Sequence, residues 1–592
     1  MGLSAFAVIS VILFHLGYLV NGYLGVDIFF VISGYLITGI VYDEVERNNF
    51  SVLKFYERRI RRIIPLVLFT TLITFVLGII FMLPDDLENL CQSIVATNFS
   101  ANNILMYITS SDYWAVKNDY KPLMHTWSLG VEEQFYLLYP VIFYILKGNK
   151  KKYILPTLVI LTIFSLTFFL TSNNIASKFY FLQYRFFELS IGGICAIYFN
   201  NKNLFTTFSK SQYILFLLIL SLIYLLYFNS TNSIDFKVLI ATLLTSGVLI
   251  IGNLHFEQNG WYRFLISNSI LRGIGKISFS LYMWHQIVFA FSRYFLVEEI
   301  TLGYSILLSI IIILLSIMSY FLIENPFRNR AKIKTKPLLL IVILSFILIT
   351  CSSLYVYFIG GIIKDVPELG ITKSNRTTQL NFFSGQNNIN IQYNENVSTM
   401  NNSFTNNDKI KILVVGDSYA RDFANIILES SFKENVEISY MYLPKPEFRD
   451  RFIKADFIFY ATDVPSTKEI IRKRMKDIEL DTNKLWIVGT KDFGNSNGFF
   501  YNRKNKENDF NCQAYRVQMK KGILKINEKL KNEWGDRYID LIGLIIDSNS
   551  KVLVFTPDCM FISQDTLHLT KFGAVFFSKI LDSKLRMIMK LT

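Results

Sequence analysis

Four groups of residues in this chain have the types and spacing for acyl and proton chemistry. The first lies toward the C-terminus, where Val414-Val415-Gly416-Asp417-Ser418 puts a serine at the end of an apolar run and just before a helical stretch. There its hydroxyl stands exposed, and helix N-terminal N–H groups point at a developing oxyanion. Asp565-Thr566-Leu567-His568 adds an Asp three residues before a His, the spacing that lets a carboxylate orient an imidazole as base for that serine. The second group is His15, two-thirds along the first apolar run, with Asp27 just inside the next. Ionisable groups in hydrocarbon cost several kcal/mol and mark pathways more often than packing. A neutral His15 can take a proton from a hydroxyl acceptor, with Asp27 to orient it. The third group is His125-Thr126-Trp127-Ser128-Leu129-Gly130-Val131-Glu132-Glu133, where two adjacent carboxylates enter an apolar span and need a partner or a task. The fourth is Arg58, Arg59, Arg61 and Arg62 before Pro65, either an orientation signal or a site for the phosphates of an acyl donor, which guanidinium groups bind bidentately.

The elements that must carry these groups follow from composition and hydropathy. The chain is 52% hydrophobic and only 18% charged, which excludes a wholly water-soluble protein and indicates a polytopic membrane chain. Apolar runs predict eleven spans, near 4–20, 23–42, 64–83, 127–146, 153–171, 179–199, 212–229, 236–252, 276–297, 303–324 and 337–359. The first run carries His15 and lacks a small-residue cleavage site, so it reads as a span and not a leader. Basic loops at Lys54 to Arg62, Lys147 to Lys152, Arg263 with Arg272 and Lys276, and Arg328 to Lys334 share one side, which the positive-inside rule makes cytoplasmic. This also accounts for the net charge of +14 without a nucleic-acid partner. Eleven spans from a cytoplasmic N-terminus place everything after about residue 360 outside. His285 falls inside the ninth span, and His255 in a solvated cytoplasmic loop.

The Asn-, Ser- and Thr-rich residues 371–408 read as a linker or irregular extension rather than a packed element. Beyond them, β-branched runs at Lys411-Ile412-Leu413-Val414-Val415, Phe457-Ile458-Phe459-Tyr460 and Leu485-Trp486-Ile487-Val488 alternate with charged helical stretches. That alternation predicts one α/β domain with a parallel sheet. Cys512 and Cys559 share this tail and are expected to pair in an oxidising compartment, whereas Cys91, Cys195 and Cys351 lie in or beside apolar spans as packing residues. No Cys/His cluster has metal-ligand spacing, and no metal is expected. The fold class is thus a polytopic α-helical membrane domain with about ten core spans and one linking span, followed by an α/β domain.

Several motifs together resemble one family. Phe14-His15, Gly25-Val26-Asp27-Ile28-Phe29-Phe30-Val31-Ile32-Ser33-Gly34-Tyr35, the Arg-rich Tyr56 to Pro65, His125 to Tyr139, Ile277 to His285 and Ile323-Glu324-Asn325-Pro326 are similar, in order, to the membrane acyltransferase-3 family. The resemblance implies a ten-span core that takes an acyl group, usually acetyl, from cytoplasmic acyl-CoA to carbohydrate on the far side. It makes His15 the catalytic candidate and links Arg58 and Arg61 to donor handling, while Arg185 and Glu188 match a further polar motif. One departure is Ser4, where the family pattern has an arginine, and with it comes the expectation of a chain that starts late. The Ser418 and His568 motifs resemble the SGNH (GDSL-like) esterase and acyltransferase fold, which implies Ser418 as nucleophile, His568 as base and Asp565 as its orienter. The glycine and asparagine that this fold adds to its oxyanion hole have no clear match: Ala461-Thr462-Asp463 stands at the asparagine position, and Asn495 is a remote candidate.

The expected organisation is a membrane acyltransferase domain at 1–330, an eleventh span at 331–360, an exported extension at 361–408 and a periplasmic SGNH-like domain at 409–592. The expected activity is O-acetylation of a cell-surface polysaccharide from acetyl-CoA, with no bound cofactor, in the bacterial inner membrane. Lipopolysaccharide O-antigen is the first acceptor and peptidoglycan the second. Alternatives are an SGNH domain that acts as an O-acetylesterase, and a polytopic transporter without acyl chemistry, although neither internal repeats nor matched Gly/Pro-broken spans are evident.

Overall fold

The computed structural model describes every residue except 111–117, 201–210, 229–232, 255–267, 297–299, 376–388, 477, 479–480, 495, 505–510, 521 and 592. His255, Arg263 and Asn495 lie outside the described residues. The chain divides into two compact units, Met1–Ile80 with Asn89–Leu354, and Phe81–Glu88 with Tyr355–Thr592.

The first unit is helical. Helices stand at the positions of the predicted spans: α1 Gly2–His15, α2 Gly25–Glu46, α3 Val52–Phe81, α4 Thr126–Ile145, α5 Ile154–Thr171, α6 Leu182–Asn200, α7 Ser211–Tyr227, α8 Ile234–Leu254, α9 Ser278–Phe295, α10 Leu302–Ser319 and α11 Thr335–Phe358. Among the described residues, six helical segments are long and apolar enough to cross a bilayer, and α1 and Tyr213–Tyr227 are shorter apolar helices. The remaining α4, α6 and α9 carry Glu132 and Glu133, Arg185 and Glu188, and His285 with Gln286. Those polar residues lower the hydropathy of the helices that build the interior. Conversely, α5 and α10 expose Ile160, Phe164, Ile306 and Leu314, as helices facing lipid do. Contact between α2 and α6 depends on glycine: a Cβ on Gly34 would run into the Leu189 carbonyl, and one on Gly192 into that of Val31. Small residues let membrane helices approach this closely. After α10 the helix widens into a π turn at Tyr320–Glu324, just before Pro326, whose missing N–H cannot continue the regular ladder.

The second unit holds a five-stranded parallel sheet with order β2-β1-β3-β4-β6, where β1 is Ile410–Gly416, β2 Val436–Met441, β3 Phe457–Ala461, β4 Leu485–Val488 and β6 Tyr538–Ile539. β5 Arg516–Gln518 and β7 Lys551–Leu553 form a separate antiparallel pair. β1 buries Ile412 to Gly416 completely, as a central parallel strand covered on both faces must. Sheets wound this way place sites beyond the carboxyl ends of their strands. Helix α12, Ser418–Leu428, leaves that end of β1, and α13, Lys571–Met589, closes the chain.

The Asn-rich extension is not an unpacked linker throughout. Within the extension, Ile389–Glu395 is helical and packs: Asn394 is buried and donates to the Leu569 carbonyl at 3.1 Å, and Asn390 donates to that of Leu369 at 2.8 Å. Side-chain amides of asparagine satisfy buried carbonyls, so a polar composition alone did not mean an unpacked segment.

Candidate active sites

In the second unit the strand–turn–helix geometry is set by Gly416. Its φ of +139° is a backbone conformation that favours glycine, and a Cβ there would strike the Ala461 carbonyl of the neighbouring strand. Asp417 then caps α12, its Oδ1 accepting from Tyr419 N at 3.0 Å and its Oδ2 from Asp463 N at 2.9 Å. Burial raises the Asp417 carboxyl to about 6, with the neighbouring Asp463 pushing the same way against those two N–H bonds. Ser418 is thereby the first residue of the helix.

The structure brings the three widely spaced residues together. His568 Nε2 lies 2.8 Å from Ser418 Oγ, and His568 Nδ1 lies 2.6 Å from Asp565 Oδ2. Because a carboxylate only accepts, Nδ1 donates and Nε2 is left to take the serine proton. Asp565 is itself fixed: its Oδ1 accepts from the backbone N–H of Leu567 at 3.1 Å and of His568 at 2.8 Å. This tight turn holds Thr566 at a φ of +80°, uncommon for a β-branched residue and located at the site. Burial alone would raise the Asp565 carboxyl, but the His568 imidazole and these hydrogen bonds hold it down at about 2. Asp463 stands two residues beyond β3, next to Asp417, where the SGNH pattern has asparagine. Cys512 and Cys559 are joined in a disulfide with a Cα–Cα distance of 5.5 Å.

In the first unit, three of the chain's five histidines converge. The His15 and His285 ring centroids are 5.2 Å apart, and those of His125 and His285 5.0 Å. His285 Nδ1 donates to the Tyr282 carbonyl at 2.6 Å. The Tyr282 hydroxyl bonds Ser128 Oγ at 2.5 Å and the His125 carbonyl at 2.8 Å, so one tyrosine ties α9 to the start of α4. Tyr282 also lines a cavity of about 110 Å³ with Arg59, Arg62, Glu132, Tyr136 and Ser4. Glu132 accepts from the Tyr136 hydroxyl at 3.0 Å, and Tyr136 in turn bonds Ser33.

Several expected roles are changed by this packing. Asp27 does not orient His15: its carboxylate lies 2.6 Å from Arg185 Nη1, which also takes Glu188 at 2.8 Å, all three buried. A buried carboxylate needs a paired, hydrogen-bonded partner, and Arg185 supplies it to Asp27. Glu132 supports the cavity wall and not the His15 ring, and Glu133 is on the same helix, electrostatically close to Arg59. The four arginines also divide. Arg58 pairs with Glu44 at 3.0 Å, and Arg61 with Glu57 at 2.9 Å and the Phe327 and Ile333 carbonyls. Arg59 and Arg62 face the cavity, Arg59 lying over the Phe55 and Tyr136 rings. His125 and His285 join His15 through contacts between distant helices, which no local spacing announces.

A family model described as an acyltransferase domain matches residues 2–323, more than half of the chain. The chain belongs to this acyltransferase-3 family. Acyltransferase-3 membership thus covers the unit that holds the histidine cluster and the cavity. The chain is 33% identical over 353 residues to the O-acetyltransferase OatA of Staphylococcus aureus strains NCTC 8325 / PS 47 and COL, covering 56% of this chain and 57% of each relative. It is 32% identical over 349 residues to the putative O-acetyltransferase SACOL0978 of strain COL, with the same coverage. The chain therefore spans little more than half the length of the curated relatives it matches. No solved structure matches it.

Proposed function

We propose that this membrane protein is an O-acetyltransferase that moves acetyl from cytoplasmic acetyl-CoA to hydroxyls of a cell-surface polysaccharide and completes the transfer through an acyl-Ser418 intermediate. The observation that carries the reading is the Ser418–His568–Asp565 chain of hydrogen bonds, in one polypeptide with an acyltransferase-3 domain. The similar Staphylococcus aureus proteins, an O-acetyltransferase and a putative O-acetyltransferase, support the same reaction type.

Ser418 Oγ attacks the acetyl carbonyl as His568 Nε2 takes its proton, and the resulting imidazolium is held by Asp565 and protonates the leaving group. A sugar hydroxyl then gives its proton to His568 and attacks the acyl carbon; collapse of the adduct expels Ser418 Oγ, which takes that proton from His568 and is regenerated. The N–H of Ser418 at the start of α12 and the helix dipole stabilise the oxyanion in both steps. In the membrane unit, Arg59 and Arg62 at the cavity wall are the cations for the donor's phosphates. His15 is the base, packed against His285, whose ring in turn contacts the cavity-lining Tyr282. The proposed location is the bacterial inner membrane with residues after about 360 outside, in keeping with the Cys512–Cys559 disulfide.

Lipid-linked O-antigen is the first acceptor considered and peptidoglycan the second. The test is the O-acetyl content of both polymers, by NMR, from cells expressing wild type, His15→Ala or Ser418→Ala at matched protein levels. Loss of acetyl from one polymer in both variants supports the transferase and names the acceptor. A rise in Ser418→Ala makes the domain an esterase, and no change in either variant rejects acyl transfer and favours a transporter.

A further inference from the structure

Beside the Ser418 site lies a buried ion pair that the reaction does not use directly. Lys491 and Asp422 are 2% and 1% exposed in their side chains, and Lys491 Nζ is bonded to Asp422 Oδ2. Asp422 is one turn after Ser418 on α12, and the same Oδ2 accepts from Leu569 N at 2.9 Å. Lys491 Nζ also donates to the Leu567 carbonyl, and its third face stands 4.2 Å above the Tyr419 ring. The Tyr419 hydroxyl donates back to the Lys491 carbonyl at 3.3 Å.

The residues on both sides of His568 are therefore fastened to the helix that begins with Ser418, one through Lys491 and one through Asp422. We infer that Lys491 and Asp422 are positioning residues that set the His568–Ser418 contact, an assignment that rests on the acyl-Ser418 reading. Replacing a buried ion pair with apolar residues is often neutral for stability, so its presence between two halves of a reacting pair calls for another reason. The alignment of nucleophile and base supplies one. A misplacement of about 1 Å can cost roughly a hundredfold in rate. Both residues act through His568 and Ser418 and neither touches the acyl group, so their loss should fall on turnover and spare substrate binding.

The experiment uses the full chain in detergent, with 4-nitrophenyl acetate as probe and Ser418→Ala as background. Lys491→Ala and Asp422→Asn are expected to lower kcat by roughly 10- to 100-fold with KM within about twofold. Added ethylammonium, but not ethanol, is expected to recover part of the Lys491→Ala loss, and the double variant should be no worse than the worse single one. Asp422→Asn preserves shape and carries the test should Lys491→Ala fail to fold. Wild-type kcat in folded Asp422→Asn or Lys491→Ala, with Ser418→Ala inactive, overturns the positioning role alone. Wild-type turnover in Ser418→Ala overturns the acyl-enzyme reading, and the positioning role with it.

Discussion

Replacing Asp565 by asparagine tests the serine site with one atom changed. In the native site Asp565 Oδ2 accepts the Nδ1 proton of His568 at 2.6 Å while Oδ1 holds the N–H groups of Leu567 and His568. An amide keeps an acceptor for the two backbone N–H donors only by turning its NH2 toward Nδ1, where donor would meet donor. His568 must then move its proton to Nε2, which can no longer accept from Ser418 across 2.8 Å. In the alternative rotamer the amide oxygen faces Nδ1, but two backbone N–H groups lose their acceptor, at about 1 kcal/mol or more each. The first arrangement carries the tautomer penalty, about 10⁴-fold in turnover where a triad carboxylate is exchanged this way, or roughly 5.5 kcal/mol of barrier. The assay is ester turnover by the full chain in detergent, with circular dichroism to confirm folding. Folded Asp565→Asn that keeps more than a tenth of wild-type kcat would refute the assignment of Asp565 as the group that sets the His568 tautomer.

The acid stability of the second unit has a defined sign. The Asp565 carboxyl is lower folded, about 2, than unfolded, about 3.8, so its ionisation adds stability above pH 4 that is lost as pH falls through 2. Its size is about 2.5 kcal/mol, and hydrogen exchange of α13 against pH should show a steeper acid limb in wild type than in Asp565→Asn. The disulfide encloses a loop of 47 residues, for which chain entropy gives about 4 kcal/mol, so Cys512→Ser or reduction should lower the melting temperature of the full chain and increase exchange in β5 and β7. Arg59→Ala and Arg62→Ala should raise the acetyl-CoA concentration required for half-maximal transfer in inside-out vesicles by roughly tenfold or more. Arg58→Ala, whose guanidinium is engaged by Glu44, should change it less.

The parts of the fold that the sequence revealed are those written in local patterns. Apolar runs give the spans, β-branched runs separated by helices give the parallel sheet, and Ser418 and the Asp565-to-His568 spacing sit on a strand end and in a single turn. What stayed hidden depends on residues far apart in the chain meeting across helices. Arg185 lies 158 positions from Asp27 and takes its carboxylate, and His285 lies well over two hundred positions from His15. Lys491 has no neighbouring motif at all, and its role emerges only when the loop carrying His568 packs on α12. The helix at Ile389–Glu395 was concealed for another reason: its asparagines pack by hydrogen bonding to carbonyls, which leaves no hydrophobic periodicity to read.

In the proposed relay, acetyl passes from the donor through the membrane unit to Ser418. The most direct test of this relay is to supply radiolabelled acetyl-CoA to the cytoplasmic face of inside-out vesicles, quench, and locate the label by peptide mapping. Label is expected on the Ser418 peptide in wild type and none there in His15→Ala, Ser418→Ala or His568→Ala. Label on Ser418 in folded His15→Ala, or acetylated polysaccharide formed by wild type in which Ser418 never carries label, would contradict the relay.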